Sequence, residues 1–440
     1  MADRSAIEWT DASWNPIRAR VMEIQNDGSG RERIGWHCEH VSDGCRNCYA
    51  EGFNRRLGTG RDFKPGEMFR EEHKGFNNGE VKLFLDEQML TQPLRWKKPR
   101  KIFVCSMTDA FADFVTDEML DKMFAVMALC PQHTFQVLTK RAKRMRAYME
   151  RLFGSKVAPR GIACSPWSAL LNRAERSWMV ANPNYMTDIR PLLLAGLQGR
   201  TLPSGPLPNA WLGISAERQQ EANERIPELQ KTPAAVRFVS LEPLLGPIDL
   251  EDIVRHGDGC EDHHSALECD VAIEDDQEFH GAVLDWVIVG GESGNRARPM
   301  HPDWVRGLRD QCDRNDTAFF FKQWGEWGMP TDDLGNLDWP YHPDHDRTHW
   351  FDRRSCVRPI ESGWSDKYQC GGGAYPPPPF DLFQTPDYLD QVARCPQCGC
   401  GEAKKCQGNA ARAAVTWVGK KKAGRLLDGA EHNAFPKVPG

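Results

Sequence analysis

The sequence predicts an α/β fold: a (β/α)8-like, TIM-type barrel over residues 1–327, followed by a cysteine-rich C-terminal extension over 328–440. Three observations predict it. Short apolar runs rich in Val, Ile and Phe recur, each stopping at a polar cluster, as expected of strands buried on both faces. Helical patterns fall between several of them, and alternating β and α units imply a parallel sheet. From residue 328 the chain turns Pro, Gly and Asp rich, including "GGGAYPPPPF", which marks a boundary.

In chain order, a short strand at Gly35–Cys38 feeds a cysteine loop. The seven longer runs follow: "VKLFLDE" from Val81, "KIFVCSMTD" from Lys101, "HTFQVLTKR" from His133, "AWLGISAE" from Ala210, "VRFVSLEPLL" from Val236, "LDWVIVGGES" from Leu284 and "AFFFKQWGEW" from Ala318. Together they make eight, the number of a closed barrel. A helix is expected after Thr116, its N-cap, because Met119, Leu120, Met123, Phe124 and Met127 form one stripe. Another follows His301, with Pro302 suited to its first turn. Residues 155–208 read as an extended crossover with some helix. Residues 251–280 carry eleven carboxylates against one basic residue, Arg255, and read as a solvated insertion.

The formal net charge of −6 provides no global attraction to nucleic acid. No apolar leader or membrane-length apolar run is present, so a cytoplasmic protein without a membrane partner is expected. In a reducing compartment the 15 cysteines suggest metal binding rather than disulfides.

Barrel active sites lie at the C-terminal ends of the strands. Six runs end in chemically capable residues that would share one mouth: Ser106 to Asp109, Thr139 to Arg141, Ser215 to Glu217, Ser240 to Glu242, Gly290 to Ser293, and Lys322 to Trp324. At the entrance, "WHCEHVSDGCRNCYAE" sets Cys38, Cys45 and Cys48 in a C-x6-C-x2-C spacing with no fourth cysteine nearby. Structural zinc wants four ligands, which His37 or His40 would complete. A 4Fe-4S cluster is the other option, and three thiolates leave one of its irons free to bind a small molecule.

These residues, with "IEWTDASWNP" at 7–16, "SMTDAF" at 106–111, "LTKR" at 138–141, "LGISAE" at 212–217, "FVSLEPLLGPI" at 238–248, "WVIVGGESG" at 286–294, "FFFKQWGEW" at 319–327 and "GKKKAGRLLDG" at 419–429, resemble a phage and mobile-element three-cysteine-motif family of unknown function, itself similar to radical S-adenosylmethionine enzymes. The resemblance implies a 4Fe-4S cluster on Cys38, Cys45 and Cys48, S-adenosylmethionine at its open iron, and a reductant. The methionine amine and carboxylate would chelate that iron, and an electron delivered to the sulfonium would yield a 5'-deoxyadenosyl radical. On this implication Lys140 or Arg141 meets the carboxylate, Ser106 and Asp109 meet the amine, and Ser215 and Glu217 meet the ribose. Gly290 and Gly291 would let the backbone approach the ligand or form a plain turn, and Glu242 and Glu292 join the cofactor set. Lys322, Gln323 and Trp324 are expected at the substrate, for which a nucleic acid or nucleotide is the candidate class. The competing reading is a zinc-bound binding or structural protein that works with a partner protein.

The run "RCPQCGCGEAKKC" supplies Cys395, Cys398, Cys400 and Cys406, with Cys356 and Cys370 upstream. C-P-x-C-G suits a zinc knuckle around 370–406, and a second iron–sulfur cluster has the same donors. The basic run at 419–427 reads as a solvated face or a phosphate contact, and Trp324 and Trp327 as core or as base-stacking rings.

Overall fold

The computed structural model describes residues 5, 7–25, 27–64, 81–154, 165–199, 201–256, 261–268, 271–274, 277–280, 282–328, 348–351 and 413–437. The cysteines at 260, 269, 356, 370, 395, 398, 400 and 406 lie outside them, as does the expected zinc knuckle.

The strands in chain order are β1 (Ala12–Trp14), β2 (Ile17–Ile24), β3 (Gly30–Gly35), β4 (Val81–Leu85), β5 (Lys101–Val104), β6 (Thr134–Thr139), β7 (Ala210–Ser215), β8 (Val236–Leu241), β9 (Ile253–His256), β10 (Glu261–His264), β11 (Val271–Glu274), β12 (Gln277–His280), β13 (Trp286–Gly290) and β14 (Ala318–Gln323), followed by β15 (Trp327–Gly328), β16 (Thr348–Phe351) and β17 (Ala413–Trp417), which make a small antiparallel sheet of their own. Seven of them form one all-parallel sheet in the order β1-β5-β6-β7-β8-β13-β14. It curls into a half-barrel whose edge strands, β1 and β14, do not pair with each other. The expected closed eight-stranded barrel is therefore corrected to an open seven-stranded one. Two of the expected barrel strands are not in it: residues 36–38 of the one expected at Gly35–Cys38 are loop, following β3, and the Val81 run is β4, which with β3 flanks β2 in a separate antiparallel sheet. The first barrel strand is instead the three-residue β1, hydrogen-bonded to β5.

The free edge of β14 is covered by the C-terminal segment. Phe321 N donates to His432 O at 2.9 Å and Ala434 N to Phe319 O at 3.2 Å. An edge strand protected in this way is closed to pairing with another chain. The acidic insertion forms two antiparallel ribbons, β9–β10 and β11–β12, rather than a plain loop.

The helices are α1 (Tyr49–Leu57), α2 (Glu87–Leu90), α3 (Asp117–Leu129), α4 (Ala142–Gly154), α5 (Pro166–Ala181), α6 (Arg190–Leu197), α7 (Gln219–Lys231) and α8 (Pro302–Arg314). Thr116 caps α3 by accepting from Met119 N, and Pro302 opens α8, as the sequence indicates. Among the described residues no helix is long and apolar enough to cross a membrane.

Side chains alternate along a strand, so every second residue faces the same way. The convex set, including Val104, Val137, Leu212, Val239, Val287 and Phe321, belongs to the large apolar core shared with the helices. The concave set forms a second core of Phe103, Trp211, Phe238, Trp286 and Phe320, closed by Trp9. Phe435, from the C-terminal segment, stacks on Trp286 at 5.0 Å. Further along the same concave register the residues become polar: Lys140, Ser215, Ser240, Glu242 and Lys322. The interior is thus apolar at the N-terminal ends of the strands and polar at the C-terminal ends.

Packing between the two zones is tight at Gly213, where a Cβ would lie 2.5 Å from the Phe238 ring. Gly213→Ala is expected to cost about 1–3 kcal/mol by overpacking. Thermal unfolding would read this, and Phe238→Leu in the same chain should recover most of it. A Gly213→Ala protein as stable as the parent would mean that the ring has room to move.

Candidate functional site

The strand ends and the cysteine loop meet at one mouth. After β3, residues 36–48 cross the C-terminal ends of the sheet before entering α1. Their polar contacts reach four strand ends. At β5, Thr108 Oγ1 donates to His37 O at 2.9 Å, and the Tyr49 hydroxyl donates to Ser106 O at 2.5 Å. At β6, Glu39 lies 3.7 Å from Arg141. At β7, Ser42 Oγ donates to Glu217 Oε1 at 2.9 Å, and a Cβ on Gly44 would overlap the same carboxylate. Beyond β13, Asn47 Nδ2 donates to Glu292 Oε2 at 3.1 Å. Arg298 spans Glu292 (2.6 Å) and the Asp43 carboxylate (2.7 Å). The loop therefore closes over the half-barrel as a lid fixed from several sides.

Glu217 is the centre of this fixing. Its carboxylate has no exposed surface. It accepts from Ser42, from Lys140 Nζ, and from Arg225 Nη1 at 3.3 Å. Lys140 also donates to Ser215 Oγ at 3.1 Å. Burial pushes the Lys140 ammonium down to about 8, while the nearby Cys45 thiol pulls it up. The direct Glu217 contact also favours the charged form, so Lys140 is cationic at neutral pH.

The three cysteines are free thiols. Burial pushes Cys38 up to about 12, with Asp109 adding to the shift and Arg141 opposing it. Burial raises Cys48 as well, and the Cys45 thiol adds to that shift. All three interact with cations of the mouth: Cys38 with Arg141, Cys45 with Lys140 and Arg225, and Cys48 with Lys140. A fourth cysteine, Cys105, follows β5 with a left-handed φ of 57°, is buried, and lies within electrostatic reach of Cys38. Its distance in sequence hid this placement. His37 is buried against Phe63 and Phe114, and its pKa falls to about 4 through desolvation. Among the described residues, no three His, Cys, Asp or Glu side chains converge on a point where a single metal ion could sit.

The structure brings the strand-end residues expected from the sequence to one place but gives several of them internal partners. Asp109 accepts from Thr139 Oγ1 (2.6 Å), Lys140 N (3.0 Å) and Arg141 Nη1 (3.0 Å). Arg141 is thereby held by a carboxylate of the chain itself. Glu217 and Glu292 serve the loop. Ser106 is shared with Asn15, which donates to its hydroxyl at 3.1 Å. Gly290 makes room for Glu242, and Gly291 packs on the Trp324–Gly325 backbone, so protein atoms fill the space beside both glycines. Glu242 pairs with Lys322 at 2.9 Å and accepts from Ser240 Oγ at 3.3 Å. Gln323 donates to Ser293 Oγ at 3.0 Å. Trp324 is 3% exposed, donates to Leu426 O and packs on Phe321, which makes it a core residue. Trp327 donates to Ala297 O at 2.8 Å.

In the basic run near the C-terminus Lys420 and Lys421 are exposed, while Arg425 and the following Asp428 are committed to the fold. Arg425 donates to Lys322 O at 3.0 Å, and Asp428 pairs with Arg306 and Arg309 of α8. In the acidic insertion, His264 contacts Gln230 at 2.7 Å and His263 contacts Asp252 at 2.5 Å, so neither joins a metal cluster among the described residues.

Sequence reasoning missed Ser42, Asp43 and Asn47 as loop anchors, and Arg225 and Arg298 as their counterparts. Arg225 sits on the inner stripe of α7, where a buried cation implies a carboxylate partner. Arg298 lies in an irregular loop that carries no comparable signal.

No curated protein and no solved structure matches this chain. A family model does match, over residues 33–436, and it spans the loop, every strand end of the mouth from β5 to β14 and the C-terminal segment; the chain belongs to that family, described as "Protein of unknown function (DUF5131)".

Proposed function

We propose that the chain is a radical S-adenosylmethionine enzyme whose cluster is held by Cys38, Cys45 and Cys48. The observation that carries this reading is the placement of three free thiols on a loop laid across the C-terminal mouth of a parallel half-barrel. Ligand chemistry concentrates at that end of such sheets. The resemblance to a phage and mobile-element family similar to radical enzymes belongs to the same reading.

Three thiolates are the donor type that iron–sulfur clusters take. A single zinc needs its ligands converging at about 2.0–2.3 Å, whereas a cluster asks of each thiolate only its own iron. Lys140, Arg141 and Arg225 would balance the charge that three thiolates bring. Burial raises the Cys38 and Cys48 thiols, and metal uptake would release the protons of its thiol ligands. When bound, the cluster supplies the electron that opens the sulfonium of S-adenosylmethionine. The chain's own part is to orient the ligand and exclude water. Glu242 and Lys322 offer a carboxylate and an ammonium on the concave face, complementary to the amine and carboxylate of the methionine end. The Cys45–Cys48 lid covers that face.

Anaerobic reconstitution with iron and sulfide, followed by electron paramagnetic resonance with and without S-adenosylmethionine, tests the proposal. Iron should bind to the parent chain and be lost when all three cysteines become Ala, while the circular dichroism of the fold persists. A spectral change on adding S-adenosylmethionine is expected. Stoichiometric zinc with no iron, or an unchanged spectrum, would make the metal-bound binding protein the better account.

A further inference from the structure

Helix α1 follows the third cysteine and is turned inside out. Its buried face carries Ala50, Glu51 and Asn54, while Tyr49, Phe53 and Leu57 are 59%, 39% and 60% exposed. The polar residues inside are fully used. Asn54 accepts from Trp36 N at 2.9 Å and donates to Thr59 Oγ1 at 2.8 Å. Glu51 accepts from Phe63 N at 2.8 Å. The outer face repeats at the helical spacing as Tyr49, Gly52, Phe53 and Arg56.

Gly52 is a saddle between the two rings. A Cβ there would meet nothing within 4 Å, so internal packing does not require the glycine. In mid-helix it costs about 1 kcal/mol relative to Ala. Tyr49 links this face to the mouth. Tyr49 is 59% exposed as a residue, while its hydroxyl reaches inward to Ser106 O, where burial raises the phenol. The Arg56 guanidinium lies 5.9 Å from the Phe53 ring. Within residues 46–64 the charged residues are Arg46, Arg55, Arg56, Arg61 and Lys64 against the buried Glu51 and Asp62, which pairs with Arg55, so the segment carries a net positive charge on a chain of net charge −6.

We propose that α1 is a stacking platform for the bases of a single-stranded nucleic acid, with Tyr49 and Phe53 as the stacking rings and Arg56 as a phosphate contact beside the cysteine lid. Open aromatic rings flanked by arginines are what an unpaired strand recognises: the rings take the π-faces of successive bases and the cations follow the backbone. Arg56 is the cation of this face that lies beside a ring, while Arg55 is paired with Asp62. The proposal names the substrate class of the reading above and rests on it for the chemistry that follows binding.

The test is fluorescence anisotropy of the full chain with labelled oligothymidylate and oligouridylate of about 12 nucleotides, within the usual single-strand site range, alongside a hairpin duplex, with iron measured in the same samples. The parent should bind single strands more tightly than duplex. Tyr49→Ala and Phe53→Ala should each weaken that binding by about five- to a hundredfold, the span of one lost stacking contact. Phe53→Leu should lose as much as Phe53→Ala, because leucine keeps the bulk but not the π-face. Arg56→Ala should lower the salt slope by about one. Circular dichroism of each variant controls for folding. No oligonucleotide binding by iron-loaded parent, or full affinity in a folded Phe53→Leu protein, overturns the platform, and the second result would place the strand elsewhere on the chain. Binding that persists in a preparation unable to take up iron would leave the platform standing and remove the cluster.

Discussion

Replacing Glu217 with Gln is expected to lower the unfolding free energy by about 3–5 kcal/mol, the usual cost of leaving buried cations without their carboxylate. Arg225 and Lys140 are the cations at stake. Their side chains are 4% and 19% exposed, and when the charge at position 217 is removed their hydrogen-bond acceptors, on Ser215 and on the new amide, are neutral. The same substitution should loosen the lid, since Ser42 and Gly44 rest on this carboxylate. Chemical denaturation gives the first quantity, and the rate of tryptic cleavage after Arg46 gives the second. Adding Lys140→Met to Glu217→Gln should restore part of the stability, because the pair is then removed together instead of being broken. A loss below about 1 kcal/mol would show that the neutral acceptors suffice. Iron content after reconstitution would then test separately whether the lid needs its anchor to hold metal.

The strands that were legible in the sequence are those buried on both faces. The runs at Lys101, His133, Ala210, Val236, Leu284 and Ala318 all form neighbouring strands of one parallel sheet, because continuous apolar character reports burial whatever the neighbours are. The run at Val81 looks the same locally, yet it pairs antiparallel with β2. Pairing partners are set by tertiary packing, which a window of five residues does not carry. β1 had no chance of being found by periodicity, since Ala12–Trp14 is too short to show one.

The site divides in the same way. That polar residues gather at the strand ends follows from alternation and topology, and the structure shows them gathered. What each does depends on the loop folded above them. Asp109, Glu217 and Glu292 were candidates for ligand contacts on chemistry alone, and the chain uses all three to hold itself together. Glu242 and Lys322 differ, because no loop residue bonds to their charged groups among the contacts described and they face the interior as a pair. Tyr49 was visible as an aromatic beside the last cysteine. Its exposed ring was not, because amphipathic patterning assumes that the apolar face of a helix turns inward, and in α1 buried Glu51 and Asn54 reverse that orientation.

Acidification from pH 6.5 to about 4 is expected to remove about 3 kcal/mol of stability through His301 alone. This residue caps α8, with Nδ1 accepting from Asp303 N at 3.0 Å, which only a neutral imidazole can do. It is completely buried, and desolvation holds its pKa down from 6.5 to about 4, with Asp303 opposing the shift and Arg306 adding to it. Between those values the unfolded chain binds a proton that the folded chain does not. Stability therefore rises with pH across the window, is fully present above 6.5 and is lost as the pH falls through 4. That interval, at about 1.4 kcal/mol per pH unit, gives the figure above. His301→Asn supplies a good N-cap acceptor that does not titrate. Denaturation curves across the window should show a shallower pH dependence in His301→Asn than in the parent. Parallel dependence in both would mean that His301 takes up its proton equally in the folded and unfolded chains, and would place the acid sensitivity in other groups.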